Sequence, residues 1–358
     1  MIGRREWTLC TALALFARPG RAAAYVEHLP RVELGGLPTR VTAHPALAAR
    51  LGLRSLHVKR DDEAGRPFGG SKARKLERLL GEARARGHRA VLTFGGAGSN
   101  HALATAIHAR RLGLRAHLVL LPEPPGPGVR AHLLAAADVG AILHAGRRAH
   151  RDDPSLAVRD FALGEDPYVI APGGTSPLGN VGYVDAGFEL AAQVADGTLP
   201  APDVIFVAAG TTGTAAGLWI GLNAAGLRSR LVAVRASGRG TATRRRVAAE
   251  VEATQAVLQS SNPGFPVTPL DDRFELEHGF VGAGYAHPTP RGHAARALVG
   301  GELPLDETYT EKAFAALVAR APRGAAVLFW DTFDPRIPGP VRARVEDLPA
   351  GLRGYARE

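Results

Sequence analysis

The sequence predicts an α/β protein of two lobes, and three observations carry that reading. From about residue 89 onward, short apolar strands alternate with helical patterns, as in a parallel sheet whose crossovers are helices. Two of those strands run into glycine-rich turns that open helices, Gly95-Gly96-Ala97-Gly98-Ser99-Asn100-His101 and Gly210-Thr211-Thr212-Gly213-Thr214. The length, 358 residues, gives room for two cores rather than one.

Taken in order, Arg4-Arg5 precede an apolar run over 7–16 and an Ala22-Ala23-Ala24 stretch. This reads either as a secretory signal or, by preference, as an amphipathic first helix broken at Pro19-Gly20. Extended segments at 31–34 and 56–60 flank a Leu37-Pro38-Thr39 turn. Next comes Gly69-Gly70-Ser71-Lys72-Ala73-Arg74-Lys75-Leu76-Glu77; the recurrence of Leu76, Leu79, Leu80 and Ala83 predicts a helix from about Ser71. Strands at 90–94, 116–121, 141–144 and 168–171 alternate with helices at 99–112, near 129–139 and before 168, a compact parallel-sheet lobe. Beyond Gly173-Gly174 the pattern predicts a helix over 182–193, a strand over 204–208, a helix over 215–222 and strands over 231–234 and 327–330. The stretch 239–275 mixes helical pattern with a Pro/Asp loop. The smaller lobe is expected at 78–180, inserted in a larger one formed by 1–77 and 181–358.

Composition narrows the class. Hydrophobic content of 46% with 6% aromatics fits a soluble α/β enzyme. The net charge of +10 comes from arginines dispersed among acids, apart from Arg244-Arg245-Arg246, and lacks the aromatic interleaving of a nucleic-acid binder. No stretch has the length of a membrane span. The single cysteine, Cys10, excludes an internal disulfide and a thiolate metal cluster and suits a reducing, cytoplasmic setting. His-Glu-x-x-His is absent and the 13 histidines are scattered, so no metal centre is expected.

Lys72 lies in the first turn of its predicted helix, where open N–H groups and the positive dipole end disfavour an ammonium. An amine there is expected to be less basic and more nucleophilic, with a solvated surface lysine as the alternative. Of 44 basic residues only Lys59, Lys72, Lys75 and Lys312 are lysine, and an amine, unlike a guanidinium, forms a Schiff base. The Gly210 turn offers N–H groups and three threonine hydroxyls at a helix start, either a phosphate cradle or a structural glycine turn. Ser99 and Asn100 head another helix, as a carboxylate site or as an ordinary N-cap. One lysine, one phosphate cradle and one anion site together suggest pyridoxal 5'-phosphate acting on an amino acid.

The order and spelling of these stretches resemble the fold-type-II pyridoxal-phosphate enzymes of the 1-aminocyclopropane-1-carboxylate deaminase and D-cysteine desulfhydrase group, from about Leu29 to Thr332. The marks are Val58-Lys59-Arg60-Asp61-Asp62, Gly69-Gly70-Ser71-Lys72, Ser99-Asn100-His101-Ala102, Gly173-Gly174-Thr175-Ser176-Pro177-Leu178-Gly179, the Gly210 turn, Gly282-Ala283-Gly284-Tyr285, and Asp306 followed by Tyr309-Thr310. The resemblance implies the tryptophan-synthase-β-like architecture: two open, twisted, mostly parallel sheets flanked by helices. It implies Lys72 as the Schiff-base lysine and Asn100 as partner of the cofactor's ring hydroxyl. Ser99, Asn100 and His101 would line the substrate site, and Gly210, Thr211, Thr212, Gly213 and Thr214 would hold the phosphate. Tyr285 and Tyr309 match the two active-site tyrosines, and Ser99 is a further participant in proton transfer.

Thr310 stands where the cyclopropane deaminases carry a glutamate facing the pyridine nitrogen. A hydroxyl leaves that nitrogen closer to neutral, which suits loss of a thiolate better than ring opening. The resemblance therefore implies α,β-elimination from a small amino acid, desulfhydrase-like, in a homodimer without nucleic-acid or membrane partners. Cyclopropane deamination, β-replacement, racemisation and a non-catalytic ligand-binding paralogue are the alternatives. Three positions depart from the group: Ser71 replaces an asparagine, Glu311 a glycine, and Asp331-Thr332-Phe333 a His-Thr-Gly run.

Overall fold

Ten strands occur among the described residues: β1 (Val41–Ala43), β2 (Ser55–Arg60), β3 (Ala90–Gly96), β4 (Arg115–Leu121), β5 (Ile142–Ala145), β6 (Tyr168–Ile170), β7 (Val204–Ala209), β8 (Arg230–Arg235), β9 (Phe274–Glu277) and β10 (Ala326–Asp331). The structure is a computed structural model describing residues 26, 28–164, 166–238, 240–337 and 339–357. The signal or helix expected over 1–24 lies outside the described residues. The strands form a six-stranded sheet, order β1-β2-β10-β7-β8-β9, and a four-stranded sheet, order β5-β4-β3-β6. Every pairing is parallel except β1 with β2. The expected architecture of two mostly parallel sheets with flanking helices stands.

Parallel strands covered on both faces should read as unbroken apolar runs, and β7, Val-Ile-Phe-Val-Ala-Ala, does so with every residue buried. Its odd and even residues serve two separate cores. Ile205, Val207, Leu231, Leu328 and Trp330 pack with Tyr183, Leu218 and Trp219. Val204, Phe206, Val232, Val327 and Phe329 pack with Ala295, Phe314 and Leu317. In the four-stranded sheet, Val91, Leu118, Leu120 and Ile170 meet Leu76, Leu80, Leu103 and Leu133.

The chain divides into two compact units, at other places than the sequence suggests. The first holds Pro38–Asp62 and Ser176–Phe333, with Val26 and Leu29 buried or partly buried against its core; the second holds Pro30–Leu37, Glu63–Thr175 and Asp334–Glu358. A boundary at 77/78 would cut the continuous helix Ser71–Ala85, which is buried along almost its whole length in the second unit. Leu348, Leu352 and Ala356 join that same core, so the C-terminal stretch returns to it. The segment expected to be extended at 31–34 joins neither sheet. Its alternating Val32 and Leu34 clamp onto the helix, Val32 N–H donating to the Glu77 carbonyl at 2.9 Å and Leu34 N–H to the Glu77 carboxylate at 3.0 Å. Within the mixed stretch 239–275, Arg244–Ser261 is a helix and Phe274 begins β9.

Two helices of the first unit, Pro177–Ala195 and Gly213–Ala224, meet along glycines. A Cβ on Gly217 would stand 2.3 Å from the Asn180 carbonyl oxygen, one on Gly221 2.3 Å from that of Val184, and one on Gly187 2.6 Å from the Gly221 backbone. Overpacking such a seam costs about 1–3 kcal/mol or more. Urea unfolding of Gly221→Val should show a loss of that size. Gly354→Ala should be neutral or gain up to about 1 kcal/mol, because Gly354 sits at φ −60° with open space around it.

Candidate active site

In the second unit, Gly70 (φ 54°) hands the chain to the helix Ser71–Ala85 with no side-chain cap, and Lys72 is half-buried in the first turn. The Lys72 ammonium donates to the Ser71 hydroxyl at 3.0 Å, so the serine that replaces the group's asparagine is a direct partner of the amine. Arg74 and Lys75, its neighbours, are buried, and Lys75 donates to the Gly173 carbonyl and the Thr175 hydroxyl at 3.3 and 3.2 Å. Lys59 and Lys312 are wholly buried and Lys75 is 3% exposed. Lys72 is the exception, more open than the other three.

The Gly95 turn closes because a side chain there would collide with Ser99, 2.5 Å from its Oγ. Ser99 is the N-cap of the helix Asn100–Arg111, its hydroxyl accepting from Ala102 N–H at 3.2 Å. Glu123 braces the turn by accepting the Gly98 N–H at 2.9 Å, and its burial raises its pKa. His101 does not offer a charged ring. Thr93 commits its hydroxyl proton to the Ile170 carbonyl, so the His101 Nε2–H donates to Thr93 at 3.0 Å. Burial, assisted by the positive charges of Lys72 and Lys75, pushes the His101 pKa down to about 3. Its part in an anion site would fall to its position in the first helical turn.

The first unit brings the remaining residues together. Thr212 takes up φ 73°, a conformation costly for a threonine and characteristic of functional turns. The helix Gly213–Ala224 opens behind it without a side-chain cap, since the Thr212 hydroxyl donates to the Thr211 carbonyl instead. A Cβ on Gly210 would come within 3.0 Å of the Tyr309 ring. Tyr309 and Tyr285 stand edge to face, centroids 5.8 Å apart. Thr310, fully buried, donates its hydroxyl proton to Asp306 at 2.7 Å and accepts the Asp306 N–H at 2.6 Å. Asp306 also takes the N–H groups of Thr308, Tyr309 and Thr310.

A family model described as "Pyridoxal-phosphate dependent enzyme" matches residues 32–329. The chain belongs to this family. It is 37% identical to the nocardicin C-9' epimerase of Nocardia uniformis subsp. tsuyamanensis, over 87% of this chain and 95% of that protein. It is 35% identical to the D-cysteine desulfhydrase of Klebsiella pneumoniae (strain 342), over 82% and 89%. The crystal structure of an ACC deaminase homologue superposes with TM-score 0.75 at 31% identity, covering 88% of this chain and 95% of that one. Pyridoxal 5'-phosphate is the cofactor of this pyridoxal-phosphate enzyme, and its residues fit it. In the first unit, an uncapped helix start carrying hydroxyls and a strained turn is a donor set for a phosphate; taken by itself, the second unit holds Lys72, a half-buried amine of the type that forms a Schiff base.

The departures noted in the sequence are accommodated inside this pyridoxal-phosphate fold. Glu311 is buried with Arg296 at 3.0 Å, and Gly292 leaves room for it, a Cβ there falling 3.0 Å from the Glu311 carboxylate. Burial raises the Glu311 pKa. Asp331, fully buried at the end of β10, is pushed well above the usual carboxylate range by burial and then by the charge of Asp62. Lys312 donates to the carbonyls of Val281 and Gly284 at 3.1 and 2.8 Å and so pins the loop that carries Tyr285. Sequence reasoning gave no part to Lys312, Glu123 or His132. Among the described residues no cluster of His, Cys, Asp or Glu could hold a metal ion, and no helix is long and apolar enough to cross a membrane.

His108, buried and bonded to the Phe68 carbonyl, is pushed down to about 4, chiefly by burial. Like His101, it stays neutral where the histidines of the unfolded chain, near 6.5, take up protons. Stability from both is fully present above about pH 6.5 and declines as pH falls towards 4. His101→Gln and His108→Gln should each remove about 1.4 kcal/mol per pH unit of that decline, read from urea unfolding between about pH 6 and 4.5.

Proposed function

We propose that this protein is a pyridoxal-phosphate lyase that removes the α-proton of a small amino acid and expels its β-substituent, D-cysteine being the reference substrate and pyruvate, ammonia and sulfide the products. The observation carrying the reading is the presence, within one unit, of a half-buried amine at Lys72 and the Ser99-Asn100-His101 helix start, the charge of Lys72 adding to burial in lowering the His101 pKa. Bound there, the cofactor supplies an electron sink for charge developing at the α-carbon.

The chain's own residues divide the rest. Lys72 would hold the cofactor and, with its amine free, would accept the α-proton, Ser71 holding that amine by a hydrogen bond. The N–H groups at the start of Asn100–Arg111 hold the carboxylate, and the Ser99 hydroxyl stands ready as a donor. Gly210, Thr211, Thr212, Gly213 and Thr214 hold the phosphate; Tyr309 walls that turn and Tyr285 sits against Tyr309. Thr310 would meet the ring nitrogen with a hydroxyl rather than a carboxylate. Because Asp306 takes its proton, that hydroxyl offers a lone pair polarised by an anion, which tempers the expectation of a neutral nitrogen. A cytoplasmic homodimer is part of the same reading.

One observation favours a second reading, epimerisation: the 37% identity to an epimerase across nearly the whole chain. Both reactions begin with loss of the α-proton, so one experiment separates them. Holoenzyme incubated with D- and L-cysteine and β-chloroalanines in deuterated water should release pyruvate. Deuterium entering the α-position with inversion and no pyruvate would assign the epimerase instead. Lys72→Ala should lose about 10²–10⁴-fold in rate together with the visible band, and borohydride reduction should place the label at residue 72; a label elsewhere overturns the proposal.

A further inference from the structure

His132, on the helix Pro127–Asp138, makes two hydrogen-bond contacts that a single ring proton must serve. Its Nδ1 lies 2.7 Å from the Gly128 carbonyl oxygen and its Nε2 2.7 Å from the Asn100 amide oxygen, Oδ1. Burial lowers the His132 pKa despite the bond to Gly128, so the ring is neutral and carries one proton. A carbonyl can only accept; the proton therefore sits on Nδ1, and Nε2 is left as an acceptor. Two acceptors repel at that distance, and of the two partners only the amide can turn round. Phe68 packs edge to face on the imidazole, centroids 6.2 Å apart, which restrains the ring itself.

We propose that His132 is a positioning residue: it takes a hydrogen bond from the Asn100 Nδ2, turns the amide oxygen away from the imidazole, and so decides which atom Asn100 offers to the cofactor's ring hydroxyl. The proposal rests on the reading above for the role of Asn100, and concerns only how that side chain is held. Without such a partner, the oxygen and the NH₂ of the amide compete for the position facing the cofactor. A neutral imidazole acceptor removes that choice before any ligand arrives.

Two variants divide the histidine's contacts. His132→Asn keeps a donor at the reach of Nδ1 for Gly128 but loses the contact to Asn100. His132→Gln keeps an acceptor at the reach of Nε2. Cofactor titrations followed by visible absorption should give His132→Asn a shifted visible band and about 3–10-fold weaker cofactor binding, matching Asn100→Ala. His132→Gln should stay close to wild type, and the double variant His132→Asn with Asn100→Ala should be no worse than Asn100→Ala alone. Wild-type behaviour of His132→Asn, or additive losses in the double variant, would overturn the proposal. So would an Asn100→Ala variant with an unchanged band and affinity, since Asn100 would then not be the contact. Absence of any lysine-bound cofactor band in the wild type would instead sink the function proposed above.

Discussion

A parallel strand cannot pair with its successor through a tight turn; the chain must cross over and come back, and a helix is the economical way to do it. Seven of the eight pairings in this protein are parallel, so helix starts gather at the carboxyl ends of strands in both units. There the backbone has N–H groups to spare and a positive dipole end. β3 leads into the Ser99 turn and β7 into the Thr212 turn, one in each unit. Each is tightened by a glycine whose missing side chain lets Ser99 or Tyr309 approach. The anion-binding role proposed for each turn rests on that pairing geometry.

Much of this was readable in advance, and the reason is local. The strands and helices between 90 and 235 announce themselves because period-two and period-3.6 patterns need only neighbouring residues to be visible. The helix opening at Ser71 and both glycine turns are legible for the same cause, while boundaries elsewhere shift by a few positions: the helix expected over 182–193 starts at Pro177, because Ser176 caps it and accepts from Gly179 N–H. The division into units was misplaced because it depends on which long-range partners a segment finds. Residues 30–37 have no signature saying that they pack on the Lys72 helix, and the C-terminal stretch none saying that Leu348, Leu352 and Ala356 join the same core. His132 and Asp306 were silent as site residues, since an acceptor facing Asn100 and a carboxylate holding Thr310 are facts of three-dimensional neighbourhood.

Buried charge is the other theme. Asp61 sits wholly buried at the end of β2, where it receives Trp330 Nε1–H at 2.7 Å, the Thr39 hydroxyl at 2.8 Å and the Tyr183 hydroxyl at 3.2 Å. Those donors come from β10, a loop and a helix, so one carboxylate ties three parts of the first unit. Lys59 makes a comparable node with the Thr39 carbonyl, Glu189 and Gln193. Such groups are tolerated inside a protein only when several partners converge on them. Three of the four lysines are buried in this way, and Lys72 is set apart by its openness.

The glycine seam between Pro177–Ala195 and Gly213–Ala224 has a bearing on how such a protein could diversify. Backbones that touch leave no slack for sliding, and a mutation on either contact line has nowhere to put its atoms. New substrates would have to be accommodated by changing loops such as the one Lys312 tethers, while the paired helices persist as an unyielding anvil beneath them.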